Sequence, residues 1–178
     1  MIEVKECSKA FGTVKAVNKA TLDIGDREVF GLVGSNGAGK STLLRMMAGI
    51  MKPDEGQIQI DGMQVYENEE AKKLFFYISD DSYFPANYTA WDMVGFYRNF
   101  YPQFRIKLFH ELMEQFHLEE KRKISTFSKG MKKQLLVIIG VCAATKYLLC
   151  DETFDGLDPV MRQAVKSLFA AEIMNREF

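Results

Sequence analysis

The chain has 178 residues, 47% of them hydrophobic and 26% charged, which are ordinary globular values that argue against disorder and coiled coil. Its formal net charge of −1 provides no global basic field to hold a nucleic acid backbone. The three cysteines, Cys7, Cys142 and Cys150, are scattered without a CxxC pair, as expected of small buried thiols in a reducing compartment.

The N-terminal part predicts strands and turns followed by one helix. Residues 2–6 and 21–24 alternate apolar and polar side chains, as half-buried strands do. Residues 28–33 are mostly apolar, which is typical of a strand buried on both faces of a parallel sheet. A glycine-rich loop follows, and a helix is predicted from about residue 40 to residue 48, with Gly49 just past its end.

Strand and helix patterns alternate through the rest of the chain. Residues 57–65 predict a hairpin, and residues 74–78 predict another buried strand. A mainly helical insertion is expected over about 82–144, and its early part, 83–104, is rich in aromatic residues. Residues 147–151 form a third buried-strand pattern, and Pro159 suits the first turn of a final helix. The alternation predicts an open α/β sheet.

The glycine-rich loop matches the pattern G-x-x-x-x-G-K-[ST] in full. Glycines allow the backbone to turn its N–H groups around an anion, and the next helix points its positive end at the same place. The lysine supplies charge to the β- and γ-phosphates, and the serine hydroxyl is the expected magnesium ligand. The predicted nucleotide-binding residues of this loop are Gly34, Ser35, Asn36, Gly37, Ala38, Gly39, Lys40, Ser41 and Thr42.

The strand predicted at 147–151 ends at one carboxylate, Asp151, and a second carboxylate, Glu152, follows it directly. Proteins with a phosphate loop place a second magnesium-binding carboxylate at this point, so Asp151 is a predicted metal residue. Glu152 is then the predicted catalytic residue, which orients or deprotonates an attacking water. The alternative is a solvated helix start, which the phosphate loop makes less favoured.

Together with two further motifs, these residues resemble the nucleotide-binding domain of ATP-binding cassette (ABC) transporters over nearly the whole chain. Residues 148–152 are similar to the Walker B strand of that family, and residues 155–158, including Asp155 and Asp158, are similar to its D-loop. The residues that resemble its signature sequence, in a form similar to exporter subunits, are Ser128, Lys129, Gly130 and Met131.

The resemblance implies a P-loop NTPase fold in one ATP-binding domain over 1–178. The expected architecture is a mostly parallel core sheet, an N-terminal antiparallel β region and an inserted helical subdomain over about 82–144. Phe11 stands where the family places an aromatic ring on adenine, and a core or turn phenylalanine is the alternative. The implied cofactors are ATP and Mg²⁺.

The resemblance also implies partners. Two copies or paralogues pair head to tail, so that Ser128 and the Gly130 N–H contact the γ-phosphate of the other copy's ATP. ATP hydrolysis then drives a membrane permease that is a separate chain, with this protein cytoplasmic and peripheral on the inner face of the cell membrane. One locally basic set of residues is interpreted as a solvated face or a field near the ATP phosphates, and no nucleic acid partner is expected. These residues are Lys121, Arg122, Lys123, Lys129, Lys132 and Lys133.

Two departures from the family pattern concern catalysis. The family has a glutamine after the third strand, where this chain has Asp80, a further magnesium candidate with an exposed loop aspartate as the alternative. The family's switch histidine lies on a strand after the last helix, and the chain ends before it, as expected of a truncated domain. Its two histidines, His110 and His117, lie in the helical insertion and are interpreted as surface or core residues. ATP turnover by this chain therefore stays open.

Other functions remain as alternatives. A non-catalytic nucleotide-binding module with a regulatory or scaffolding role would also use the phosphate loop. A small P-loop kinase fits the length, although such kinases place the loop directly after their first strand. ABC proteins that act on ribosomes or DNA normally carry two cassettes or long coiled coils. The aromatic stretch 83–104 fits either a groove for a permease helix or a small core of the helical subdomain.

Overall fold

The computed structural model describes residues 1–80 and 83–175. The chain divides into two compact units, Met1–Phe75 and Phe76–Phe178, each with buried apolar side chains of its own. Two residues of the predicted helical insertion and its boundary, Asp81 and Ser82, lie outside the described part of the chain. A single ATP-binding domain over 1–178 stays a prediction.

The first unit is built on an antiparallel sheet with the strand order β2-β1-β3-β4. The apolar residues that alternate along β1 pair with those of β3, as Val4 does with Ile58, and both are buried. The helix predicted from about residue 40 to residue 48 is present as α1. These elements are β1 (Ile2–Phe11), β2 (Val14–Ile24), α1 (Lys40–Met47), β3 (Glu55–Ile60), β4 (Met63–Gln64) and the short α2 (Glu69–Lys72).

The hairpin predicted over 57–65 is confirmed by the pairing of β3 with β4. Its two turn residues, Asp61 and Gly62, have φ values of 49° and 78°. Two consecutive positive φ values are what a two-residue turn between twisted antiparallel strands requires. The turn chemistry of an aspartate and a glycine therefore set the register of this hairpin correctly from local sequence.

The buried strand predicted at 28–33 is wrong for this structure. These residues belong to no strand, and the side chains of Val29, Phe30 and Val33 are 74%, 43% and 98% exposed. A strand needs a neighbour whose N–H and C=O groups complete a ladder, and none of the strands described in this unit pairs with the run. An apolar composition favours burial of a segment, but it does not provide the second strand with which that segment would have to pair.

The second unit places four helices around a small sheet, and its apolar core is formed mainly by α5. The buried strands predicted at 74–78 and 147–151 are present as β5 and β6. These two strands pair with each other. The helical insertion and the final helix are confirmed. The elements are β5 (Phe75–Ile78), α3 (Ala90–Arg98), α4 (Ile106–Gln115), a 3-10 turn (Ile124–Thr126), α5 (Lys129–Cys142), β6 (Tyr147–Cys150) and α6 (Pro159–Asn175).

Polar side chains mark where the helices of the second unit begin. Thr89 and Asp92 form a reciprocal capping box at the start of α3. The Asp158 carboxylate accepts from the N–H groups of Val160 and Met161 at 3.0 Å, so it caps α6 just ahead of Pro159. Among the described residues, no helix combines the length and the apolar character that crossing a bilayer requires.

Candidate functional site

The loop at residues 34–39 of the first unit is exposed and leads directly into α1. Gly37 and Gly39 have φ values of 82° and 86°, in the left-handed region that favours glycine. A Cβ atom on Gly39 would lie 2.0 Å from the carbonyl oxygen of Ala16 on β2. Only glycine fits there, because the loop lies directly against the sheet.

The Lys40 side chain turns back over this loop. Its Nζ atom donates to the carbonyl oxygens of Gly34 and Ser35, each at 2.8 Å. Ser41 and Thr42 follow in the first turn of α1, where main-chain N–H groups have no acceptor within the helix. A cation, a helix N-terminus and an exposed glycine loop thus meet in one place, which is the arrangement that holds an anion.

Phe11 ends β1, opposite Val14 at the start of β2. Its ring is 50% exposed, which rules out the core alternative. Ala16, the residue that touches Gly39, lies two positions after Val14 on the same strand. The exposed ring therefore belongs to the hairpin that supports the phosphate loop, as a ring that stacks on a bound base requires.

In the second unit, a buried and an exposed carboxylate are adjacent. Asp151 is 2% exposed, its N–H donates to the Ile78 carbonyl at 2.9 Å, and its Oδ2 atom accepts from the Tyr77 hydroxyl at 3.0 Å. Glu152 is exposed and has a φ of 46°. The pair thus offers one fixed carboxylate and one that can reach solvent or substrate.

Lys133 connects three segments of the second unit. Its Nζ atom donates to Asp80 Oδ1 at 3.0 Å, to the Asp155 carbonyl at 2.9 Å and to the Glu152 carbonyl. Lys133 is only 3% exposed, so its interpretation as part of a solvated face is wrong. The sequence signal that could have indicated its burial is its position at the start of the apolar part of α5. The ten residues from Lys133 to Cys142 are all buried.

The predicted signature residues begin α5. Ser128 is the N-cap residue, and its Oγ atom accepts from the Met131 N–H at 3.2 Å. Ser128 and Lys129 are exposed, while Gly130 is half-buried. A Cβ atom on Gly130 would lie 3.9 Å from the Gly156 carbonyl, so the predicted signature and D-loop segments are neighbours.

The structure therefore brings together some predicted residues within each unit. The first unit joins the loop from Gly34 to Thr42 with the hairpin of Phe11, and the second unit joins Asp80, Glu152 and Asp155 through Lys133. Sequence analysis missed Tyr77 as the donor to Asp151. No pattern could have assigned it, because the two residues are far apart in the chain.

Of the two cysteines in the second unit, Cys142 is buried and Cys150 is half-buried. Burial raises the pKa of Cys150 to about 11 and that of Cys142 to about 12. Burial also raises the pKa of Cys7 in the first unit. A thiol that stays protonated at neutral pH is a poor nucleophile, so the chemistry at the second site rests on the carboxylates.

The aromatic stretch 83–104 divides between core and surface. Phe104 is buried, with 7% exposed, while Trp91, Phe96 and Phe100 are 41%, 45% and 55% exposed. The Trp91 ring stacks on His110, whose Nδ1 atom lies 2.6 Å from a Glu120 carboxylate oxygen. A shallow open groove next to this surface is lined by Asn87, Tyr88, Asp92, Gly95, Phe96 and Asn99.

Comparison with known proteins assigns the family. A family model described as "ABC transporter" matches residues 17–155, a span that contains the phosphate loop, the signature segment and both carboxylates. The chain therefore belongs to the ABC transporter family, in which it is a nucleotide-binding domain. The expected P-loop NTPase fold, with an antiparallel N-terminal sheet and a parallel sheet, is confirmed as well.

Particular relatives agree with this assignment. The chain is 34% identical to the ABC transporter ATP-binding protein YtrB of Bacillus subtilis over 99% of its own length and 61% of that protein. It is 30% identical to the bacitracin transport ATP-binding protein BcrA of Bacillus licheniformis, covering 94% of this chain and 57% of that protein. The chain thus spans about 60% of the length of these relatives.

A solved structure described as an ATP binding subunit of an ABC transporter superposes on this chain with a TM-score of 0.89. Sequence identity in that comparison is 25%, and the match covers 98% of this chain and 75% of the other. The fold therefore agrees over nearly the whole chain.

Proposed function

We propose that this chain is an ATP-binding subunit that powers a separate membrane permease. The observation that carries the proposal is the exposed loop from Gly34 to Thr42, with Lys40 curled over it at the start of α1. A nucleoside triphosphate fits this site, because its phosphates meet the loop N–H groups and the Lys40 ammonium. The exposed Phe11 ring supports a place for the adenine, and the similarity to the ATP-binding proteins YtrB and BcrA supports ATP as the ligand.

Magnesium and hydrolysis are part of the proposal. The Ser41 hydroxyl of the first unit and the Asp151 carboxylate of the second unit are oxygen donors, which Mg²⁺ prefers, and each is a predicted magnesium ligand. Asp80 is the third predicted ligand, although its Oδ1 atom accepts from Lys133. The exposed Glu152 carboxylate would orient or deprotonate the water that attacks the γ-phosphate.

Assembly follows from the exposed signature segment. Ser128 and the Gly130 N–H, at the start of α5, would contact the γ-phosphate held by a second copy or a paralogue in a head-to-tail dimer. Phe96 and Phe100, whose ring centroids are 5.2 Å apart, form an exposed aromatic surface suited to a helix of the permease. The protein would then work on the cytoplasmic face of the cell membrane, peripheral to that permease.

Removing the Lys40 charge tests the binding proposal. We expect Lys40→Ala to raise the Kd for Mg-ATP by about a hundredfold, since a hydrogen bond to a charged group contributes about 1.5–3 kcal/mol and this lysine supplies more than one. Calorimetric titration measures the change. Lys52→Ala is the matched control, because that lysine is exposed in the same unit and stacks over Tyr66 instead. Unchanged affinity in Lys40→Ala would refute the loop assignment.

Glu152→Gln tests catalysis and assembly together. Because the amide cannot act as a base, ATP should persist and hold two copies together, which size-exclusion chromatography with light scattering detects as a dimer. A variant that stays monomeric with Mg-ATP bound contradicts the head-to-tail contact. Tight ATP binding with only background phosphate release by the unmodified protein favours the non-catalytic module.

A further inference from the structure

Lys133 is a buried cation that the phosphate loop and the paired carboxylates leave without a role. It lies a little more than one helical turn beyond Ser128 in α5, and its side chain is 4% exposed. An ammonium group has three donor hydrogens, and the structure provides three acceptors: Asp80 Oδ1, the Glu152 carbonyl and the Asp155 carbonyl. A charge this deeply buried needs such complete partnering.

Two of those acceptors belong to the turn at residues 152–155, which also contains the bond from the Asp155 N–H to the Glu152 carbonyl at 3.0 Å. Glu152 has a φ of 46°, a conformation that non-glycine residues rarely adopt. The contacts with Lys133 therefore add to the turn's own hydrogen bond, and together they hold Glu152 in a conformation that its own preference disfavours. The exposed Glu152 side chain leaves the backbone from this turn, so its direction depends on the same contacts.

Asp80 supplies the negative charge that the buried ammonium needs. It follows β5, its Oδ1 atom lies 3.0 Å from Lys133 Nζ, and its side chain is 39% exposed. Lys133 is the one cation for which the described part of the chain shows an ion pair with Asp80. The carboxylate is thus placed to neutralise Lys133 before it could neutralise an added metal ion.

We propose that Lys133 is a positioning residue that fixes the turn carrying Glu152 and Asp155, and that Asp80 acts as its counter-ion rather than as a magnesium ligand. This inference rests on the proposed ATP hydrolysis for its effect on turnover. It also connects α5, which starts at the signature segment, to the carboxylate turn, because one side chain of the helix bonds to the turn twice.

Hydrogen–deuterium exchange tests the positioning role without reference to activity. In Lys133→Met, we expect amide exchange in the peptide covering residues 150–158 to rise at least tenfold, since the turn loses two of its hydrogen bonds. Lys107→Met is the matched control, because that lysine side chain is 93% exposed, and its exchange in the peptide should match the unmodified protein. Asp80→Asn is the milder variant should Lys133→Met not fold, and it should raise exchange by at least threefold.

Turnover tests the consequence in the unmodified protein and the same variants. Lys133→Met should lower kcat at least tenfold, while the KM for ATP stays close to that of Lys107→Met. Adding Asp80→Asn to Lys133→Met should lower kcat no further, because the carboxylate has then already lost its partner. A half-saturating Mg²⁺ concentration within twofold of the unmodified value in Asp80→Asn fits a counter-ion.

Each contrary result has a definite meaning. Unchanged exchange in both Lys133→Met and Asp80→Asn overturns the positioning role, and unchanged kcat with faster exchange overturns its importance for turnover. A tenfold rise of the half-saturating Mg²⁺ concentration in Asp80→Asn makes Asp80 a metal ligand and overturns its assignment as counter-ion. If the unmodified protein hydrolyses no ATP, the proposed function fails, while the exchange measurement still decides whether Lys133 holds the turn.

Discussion

The phosphate loop of the first unit and the carboxylate turn of the second unit are stabilised in different ways. The loop is exposed, and its shape comes from positive φ values at Gly37 and Gly39 and from Lys40 bonding to carbonyls only a few residues away. The turn at 152–155 follows a buried aspartate and depends on Lys133, which is far away in the chain. Neighbouring residues specify the loop, whereas a distant side chain specifies the turn.

Two motifs of one family can therefore differ in how readily they are recognised from the sequence alone. A loop made by glycines and its own lysine is recognised because those glycines and that lysine all lie within nine residues. The two units should also differ in the kind of substitution to which each is most sensitive. Backbone changes should matter most at the loop, while removal of single side-chain donors should matter most around the turn.

The largest effect expected is at Gly39. Gly39→Ala adds a Cβ atom that would lie 2.0 Å from the Ala16 carbonyl at a φ of 86°, so we expect a loss of ~3 kcal/mol or more in the stability of the first unit. Gly37→Ala has a similar φ of 82° with nothing within 4 Å, so only the backbone strain of about 1–2 kcal/mol applies. Urea unfolding followed by circular dichroism compares them, and equal losses would show that the sheet contact is unimportant.

A smaller effect is expected at Tyr77. Tyr77→Phe removes the hydroxyl that donates to the buried Asp151 carboxylate at 3.0 Å, and a hydrogen bond to a charged group contributes about 1.5–3 kcal/mol. Fluorescence of Trp91, the single tryptophan, reports urea unfolding of the second unit. Tyr83→Phe, also in the second unit, is the control for losing an exposed hydroxyl. A midpoint that moves no more in Tyr77→Phe than in the control argues against this bond.

The N-cap of α5 should contribute less again. Ser128→Ala removes the acceptor of the Met131 N–H, which should cost about 1 kcal/mol of stability in the second unit. Ser125→Ala nearby, in the 3-10 turn, is the control. If Ser128 also contacts ATP as proposed, Ser128→Ala weakens ATP-dependent dimerisation by more than this stability loss explains. Equal dimerisation in both variants would leave Ser128 with its capping role alone.

The smallest effect concerns acid stability at the capping box of α3. The hydrogen bond from the Thr89 N–H, followed by that from the Thr89 hydroxyl, holds the pKa of Asp92 below its usual value of 3.8. A carboxylate with a lowered pKa in the folded state stabilises the protein above that usual value, and the contribution disappears as pH falls through the folded pKa. Asp92→Asn should therefore flatten the loss of Trp91-reported stability below about pH 4. An unchanged slope would assign the acid sensitivity of this unit to other carboxylates.

Whether a feature could be predicted from the sequence depends on how far apart in the chain its interacting residues lie. The helix starts at Lys40 and Pro159 and the hairpin at Asp61 and Gly62 were predicted correctly, because each rests on residues within a few positions of one another. The strand predicted at 28–33 failed because pairing requires a second strand, and periodicity describes only the run itself.

Local chemistry in the chain thus determined the phosphate loop, the helix starts and the family resemblance, since glycine conformation, capping side chains and hydrophobic period act over a few residues. Only the tertiary structure decided that Lys133 is buried, that Tyr77 meets Asp151, and that the aromatic stretch divides between core and surface. The physical reason is that burial and ion pairing are properties of an environment assembled from distant segments, and a charged side chain looks the same in sequence whether it faces solvent or a carboxylate.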